Sequence, residues 1–145
     1  MKLLHRLFVI LLVLALLGAA CGGGDPSSEP ASADEAPGVR VVSADEGASI
    51  LADPPEGLVV LDVRTPVEFD EAHLEGATLV DIYEPDFTER IDQLDRDVPY
   101  LLYCRSGNRS EQARTLMAEL GFADVADVAG GIQAWVSEGH PVVSG

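Results

Sequence analysis

The chain has 145 residues, 25 of them acidic and nine basic, for a formal charge of −16. Nucleic-acid binding rests on neutralising phosphates with basic side chains, so this balance excludes that class. Two cysteines and 47% hydrophobic residues describe one small core that does not depend on a disulfide framework.

The first twenty residues read as a segment that is removed. Lys2, His5 and Arg6 make a basic start, "LFVILLVLALL" (Leu7–Leu17) is the apolar run, and Gly18, Ala19 and Ala20 lead to Cys21. That order describes an export signal rather than a spanning helix. "LGAAC" followed by "GGG" resembles the bacterial lipoprotein cleavage motif, with Gly18 where leucine is the commoner residue. Cys21 is therefore the expected lipidated N-terminus, its diacylglyceryl group anchoring an extracytoplasmic protein to a membrane. Processing removes Lys2 and Arg6 and leaves seven arginines, no lysine and a formal charge of −18. Residues 21–38 become the lipidated cysteine and an acidic linker. Its "GGGDPSSEPASADEAPG" has no apolar face and reads as a disordered tether of roughly 20–25 Å. Residues 39–145 form the single domain, expected to be a monomer.

Short apolar runs then alternate with helical patterns. "VRVV" is a strand, and "SADE" (Ser43–Glu46) is a capping box that starts a helix through about Leu51. "GLVVLDV" (Gly57–Val63) is a continuous apolar strand, ended by a second capping box, "TPVE", with Thr65 as cap and Pro66 at the first helical position. "ATLVDI" (Ala77–Ile82) reads as a strand, and Phe87, Ile91 and Leu94 as the stripe of a helix. "VPYLLY" (Val98–Tyr103) is the expected central strand. Ala113, Leu116, Met117 and Leu120 mark an amphipathic helix behind it, with Gly121 at its end. "ADVADV" is the last strand, and "IQAWVSEG" the last helix, with Ile132, Trp135 and Val136 on one face. This alternation predicts a parallel sheet between helices, with ligands beyond the carboxyl ends of the strands, where Cys104 falls.

"YCRSGNRS" (Tyr103–Ser110) sets one thiol before small polar residues and two arginines. With Cys21 lipidated, Cys104 has no disulfide partner, and exported proteins usually pair their thiols or lose them. A free thiol is roughly 3% ionised at pH 7, and lowering its pKa by about two units makes thiolate the major form. Gly107 permits a tight turn that lets the amides of Arg105 to Arg109 converge on the sulfur, while the helix starting near Ser110 adds its positive end. Arg105 and Arg109 are expected to draw in anions. Such a cradle serves phosphate ester cleavage or sulfur transfer. Cysteine-dependent phosphatases resemble one another in five residues between nucleophile and arginine, commonly with histidine before the cysteine. Here four residues intervene and Tyr103 takes that place, which disfavours a phosphatase or arsenate reductase.

"CRSGNRS" matches the active-site loop of the rhodanese family, the thiosulfate and related sulfurtransferases. "LDVRTPVEFDEAHLEGA" (Leu61–Ala77) resembles the family's upstream signature and "GGIQAW" (Gly130–Trp135) its C-terminal one. The resemblance runs from about Val39 to Pro141 and departs at Ala72 and Glu75, where the family more often has Gly and Pro. It implies a single-domain α/β fold with a central parallel sheet of about five strands flanked by helices on both faces. It also implies a persulfide on Cys104 that takes sulfane sulfur from a small-molecule donor such as thiosulfate and passes it to cyanide or a thiol. Arg105 and Arg109 would orient the donor, Ser106, Gly107 and Asn108 would shape the cradle, and no metal or organic cofactor is required. Asp62, Arg64 and Glu68 are expected to brace the loop, with His73 and Trp135 structural and Asn108 and Ser110 as turn and cap residues. A non-catalytic sulfur-carrier, sensing or partner-binding module is the alternative.

Overall fold

The computed structural model describes residues 38–145, so the leader, Cys21 and nearly all of the linker lie outside it. Five strands, β1 (Val39–Val42), β2 (Val59–Asp62), β3 (Thr78–Leu79), β4 (Pro99–Tyr103) and β5 (Asp124–Val128), alternate with five helices. These are α1 (Ala44–Ala52), α2 (Pro66–Glu71), α3 (Phe87–Asp92), α4 (Asn108–Glu119) and α5 (Gly131–Ser137). The strands form one parallel sheet in the order β1-β5-β4-β2-β3, with β4 at its centre as its continuous apolar run predicts.

Side chains alternate across the sheet, and each face supports its own core. Leu61, Tyr100, Leu102 and Cys104 pack with Ile91 of α3 and Ala113 and Met117 of α4. Val60, Leu101, Tyr103 and Ala126 pack on the opposite face with Ala44 of α1 and with Ile132 and Trp135 of α5. Both capping boxes form. The Glu46 amide donates to Ser43 Oγ at 3.2 Å and the Ser43 amide to the Glu46 carboxylate at 2.6 Å. Thr65 and Glu68 repeat the exchange at 3.4 and 3.2 Å, with Pro66 at the first helical position.

Several boundaries differ from the sequence reading. The third strand shrinks to two residues, because Asp81 turns the chain by accepting the Tyr83 amide at 2.9 Å. The helix at Phe87 ends at Asp92, leaving Leu94 beyond it but still against the core. On α5, Ile132 and Trp135 are buried but Val136 is 52% exposed, so it does not join their face. The tail returns to the segment between α2 and β3, where His73 and Val143 exchange backbone hydrogen bonds of 2.8 Å. His73 Nδ1 lies 2.9 Å from Phe69 O and its ring stacks on Phe69, a structural place as expected.

Candidate active site

Cys104 stands one residue past the end of β4 and is fully buried. The next three residues curl back until Gly107, at φ 101°, aims its amide at Cys104 Sγ from 3.1 Å. That left-handed conformation suits glycine because it has no Cβ. Helix α4 begins at once, at Asn108 rather than near Ser110, so Ser110 lies inside its first turn and is not the cap. Its hydroxyl donates to Gly107 O at 3.1 Å and stands beside the sulfur. Burial pushes the Cys104 thiol up, but the Ser110 hydroxyl and the amides of Ser110, Ser106 and Gly107 outweigh it and leave the thiol below its ordinary value. The loop thus favours the thiolate through the Ser110 hydroxyl as well as the backbone amides that its sequence predicts.

The loop's first half is clamped by α5. The Ile132 amide donates to Cys104 O at 2.9 Å and the Gln133 amide to Arg105 O at 3.1 Å. So close an approach needs a glycine, since a Cβ on Gly131 would lie 2.3 Å from Cys104 O. Its far half is clamped by Glu68 on α2, whose two oxygens each accept from Arg109 at 2.7 Å. Hydrogen bonding from Arg109 is the largest influence on Glu68 and holds its carboxyl at about 2. Tyr83 lies under the same guanidinium, 5.7 Å from ring centroid to Cζ. Arg109 is therefore a loop strut with its charge met, whereas Arg105 is exposed and makes no ion pair among the described residues.

Asp62 and Arg64 form a buried pair at the end of β2. Arg64 Nε donates to both Asp62 oxygens at 2.9 Å, and Nη2 reaches Asp62 at 2.6 Å and Ala72 O at 2.7 Å. The guanidinium also lies over the Tyr103 ring at 5.4 Å. Burial works against the Arg64 charge, and the Asp62 carboxylate more than restores it. Through Ala72 O at the C-terminal end of α2 and the Tyr103 ring of β4, Arg64 ties the helix that carries Glu68 to the strand that precedes Cys104. Arg64, Glu68, Arg105, Ile132, Gln133 and Val136 line a cleft of about 790 Å³ beside the loop.

The structure thus gathers Asp62, Arg64, Glu68 and the whole of Cys104–Ser110 around one loop. Sequence reasoning missed Tyr83 and Asp127. The latter is a buried acid on β5 behind Ser110, and its visible signal was a carboxylate inside an apolar strand. Asn108 Oδ1 and Nδ2 make no hydrogen bond among the described residues, and Asn108 serves as the first residue of α4.

A buried cysteine whose sulfur accepts the amide of a tight loop at the carboxyl end of a central parallel strand defines a class of α/β domains with a cysteine-bearing loop. The rhodanese-like domain model matches residues 43–138, and the chain belongs to that family. It is 40% identical over 80 residues to the thiosulfate sulfurtransferase GlpE of Pseudomonas putida, covering 55% of this chain and 71% of that one. Identity is 37% over 84 residues to a Mycobacterium tuberculosis protein, MoeZ, named as a probable adenylyltransferase/sulfurtransferase. That match covers 58% of this chain but only 21% of the length of MoeZ. The crystal structure of a rhodanese-related protein from Thermoplasma volcanium superposes with a TM-score of 0.63 at 34% identity, covering 72% of this chain and 97% of that one.

Proposed function

We propose that the protein is an extracytoplasmic sulfurtransferase that carries sulfane sulfur as a persulfide on Cys104, with thiosulfate as donor. The observation that carries this reading is the Gly107 amide donating to Cys104 Sγ at 3.1 Å. In the first half-reaction the Cys104 thiolate attacks the outer sulfur of thiosulfate. A sulfur–sulfur bond forms to Cys104, the bond to the sulfonate sulfur breaks, and sulfite leaves with the electron pair. Cyanide or a thiolate then attacks the outer sulfur of the persulfide, and Cys104 departs as thiolate. Two easier displacements replace a single transfer between anions.

Arg105 would meet the donor's sulfonate. It is exposed at the cleft and follows the nucleophile directly. Arg109 contributes by keeping the ring closed, its own charge being offset by Glu68. The enclosure of Cys104 favours a small donor over a bulky one. The same enclosure supports a second reading, a carrier that loads once and waits for a partner, which differs in lacking turnover.

Attachment to a membrane through lipid on Cys21 belongs to the same proposal and rests on the sequence alone. No helix of the described residues is long and apolar enough to cross a membrane.

Intact-mass measurement after incubation with thiosulfate tests the sulfur assignment. One added sulfur, mapped to Cys104 and removed by cyanide as thiocyanate over many cycles, is the expected result. Loading without cycling would select the carrier, and no loading would remove both readings.

A further inference from the structure

Asp127 is nine-tenths buried or more and takes no part in the chemistry above. It lies in β5 opposite Leu102 of β4 and Val41 of β1, and it faces α4 with Val125, two residues before it. Its Oδ2 accepts from Arg114 Nε of α4 at 3.1 Å. Its Oδ1 is sealed from solvent and has no hydrogen-bond partner among the described residues. A buried carboxylate oxygen left in this way requires an explanation.

Ser110 lies one turn before Arg114 on α4, and its hydroxyl, which donates to Gly107 O at 3.1 Å, is near enough to influence both Asp127 and Cys104. A hydroxyl has one proton and two lone pairs. The Gly107 carbonyl, which holds that proton in this structure, the Cys104 sulfur and the Asp127 carboxylate therefore compete for one donor. We propose that Asp127 is a positioning residue for Cys104 that acts through Ser110: its carboxylate draws the hydroxyl proton away from the sulfur, and its carboxylic acid returns that proton to the sulfur by donating to Ser110 Oγ. This inference rests on the assignment of Cys104 as the working thiol.

The sign follows from the hydrogen bonds. With Asp127 ionised, the sulfur loses the Ser110 donor and its thiolate is held by amides alone. As pH falls and Asp127 takes a proton, Ser110 turns to the sulfur, and Cys104 resists reprotonation just where an ordinary thiol would be neutral. Burial pushes the Asp127 carboxyl up, while Ser110 and Arg114 work against that rise and the Glu111 charge adds to it. The charged groups that face Asp127 are thus Arg114 and Glu111 of α4, with Cys104 at the end of β4. β1 presents Val41 at the paired position, and α1 and α5 lie on the other face of the sheet.

The test is a cycle of full-length proteins: wild type, Asp127→Asn, Ser110→Ala and the double variant. Each is alkylated with iodoacetamide across pH, with the rate read on the Cys104 peptide by mass spectrometry. Asp127→Asn fixes the neutral state and is expected to speed alkylation near pH 6 by about three- to tenfold, equivalent to lowering the Cys104 midpoint by roughly half to one unit. In the Ser110→Ala background the same substitution should change the rate less than about 1.5-fold, because the hydroxyl that mediates the coupling is gone. An equal effect in both backgrounds would show a through-space charge effect and overturn the proposal, as would no effect or a slower reaction in Asp127→Asn. If the asparagine variant does not fold, Asp127→Ser replaces it in the same cycle. The readout needs no sulfur donor, so a failure of sulfur transfer and a failure of this coupling are separately visible.

Discussion

Glu68 and Arg109, 41 residues apart, are joined by two hydrogen bonds of 2.7 Å that close the far side of the Cys104 loop. A bidentate pair of this kind holds direction as well as distance.

The pair makes stability depend on acid. The Glu68 carboxyl falls from 4.5 to about 2 on folding, so its contribution is complete above about pH 5 and lost as pH falls through 2. The two side chains are 14% and 21% exposed, and the shift corresponds to an upper bound of roughly 3–4 kcal/mol, which partial exposure reduces. Glu68→Gln keeps a capping side chain and should lower unfolding stability by about 1–3 kcal/mol at pH 7, with the difference from wild type shrinking toward pH 2.5. Urea titrations at the two pH values check this; a gap of equal size at both would show that the Arg109 pair is not its source.

Gly131→Ala should be among the costliest single-methyl additions in the domain. The residue has φ 57°, and the new Cβ would meet Cys104 O at 2.3 Å and two carbonyl carbons at 2.8 Å, all of them backbone. A loss of about 2–4 kcal/mol is expected, together with slower thiosulfate loading, because α5 would withdraw its amides from the loop. Thermal unfolding and loading rate measure the two effects. Gly76→Ala is the control, since its Cβ would meet nothing within 4 Å although its φ is also positive.

Cys104→Ser should fold normally and form no persulfide, because a hydroxyl cannot carry the transferred sulfur. Arg105→Ala should retain stability, being exposed and without an ion pair, while raising the thiosulfate KM about tenfold or more, the worth of one charge-assisted contact. A fall in kcat at unchanged KM would place Arg105 in the chemical step instead.

Hydrolysis of aryl phosphates should be negligible. Only four residues separate Cys104 from Arg109, and that arginine is already committed to Glu68, whereas a phosphoryl group needs donors around all its equatorial oxygens. Efficient aryl phosphate turnover that disappears with Cys104→Ser would reverse the sulfur assignment.

Cys21→Ser should release the protein from membranes or leave its leader in place. Membrane fractionation and N-terminal mass analysis read the outcome, and a wild-type N-terminus other than Cys21 would end the lipoprotein proposal.

Much of this domain is written locally. Ser43 with Glu46 and Thr65 with Glu68 are three residues apart, so each helix start depends on bonds the chain makes with itself. The apolar run before Cys104 announces a strand covered on both faces, and the small residues after it announce a turn of amides on the sulfur. What the alternation of strand and helix could not carry is which distant side chains meet. Glu68 finds Arg109 only because β2 lies beside β4, and the loss of Arg109 as a free anion site follows from that neighbour relation. Asp127 reads as one of two aspartates in a short strand until register and sheet order set it behind Ser110. Val136 shares helical spacing with Ile132 yet faces the cleft, because a seven-residue helix has only its Ile132–Trp135 side against the sheet. Period and spacing report bonds within a few residues; the pairing of charges across the fold depends on strand order, which no local pattern encodes.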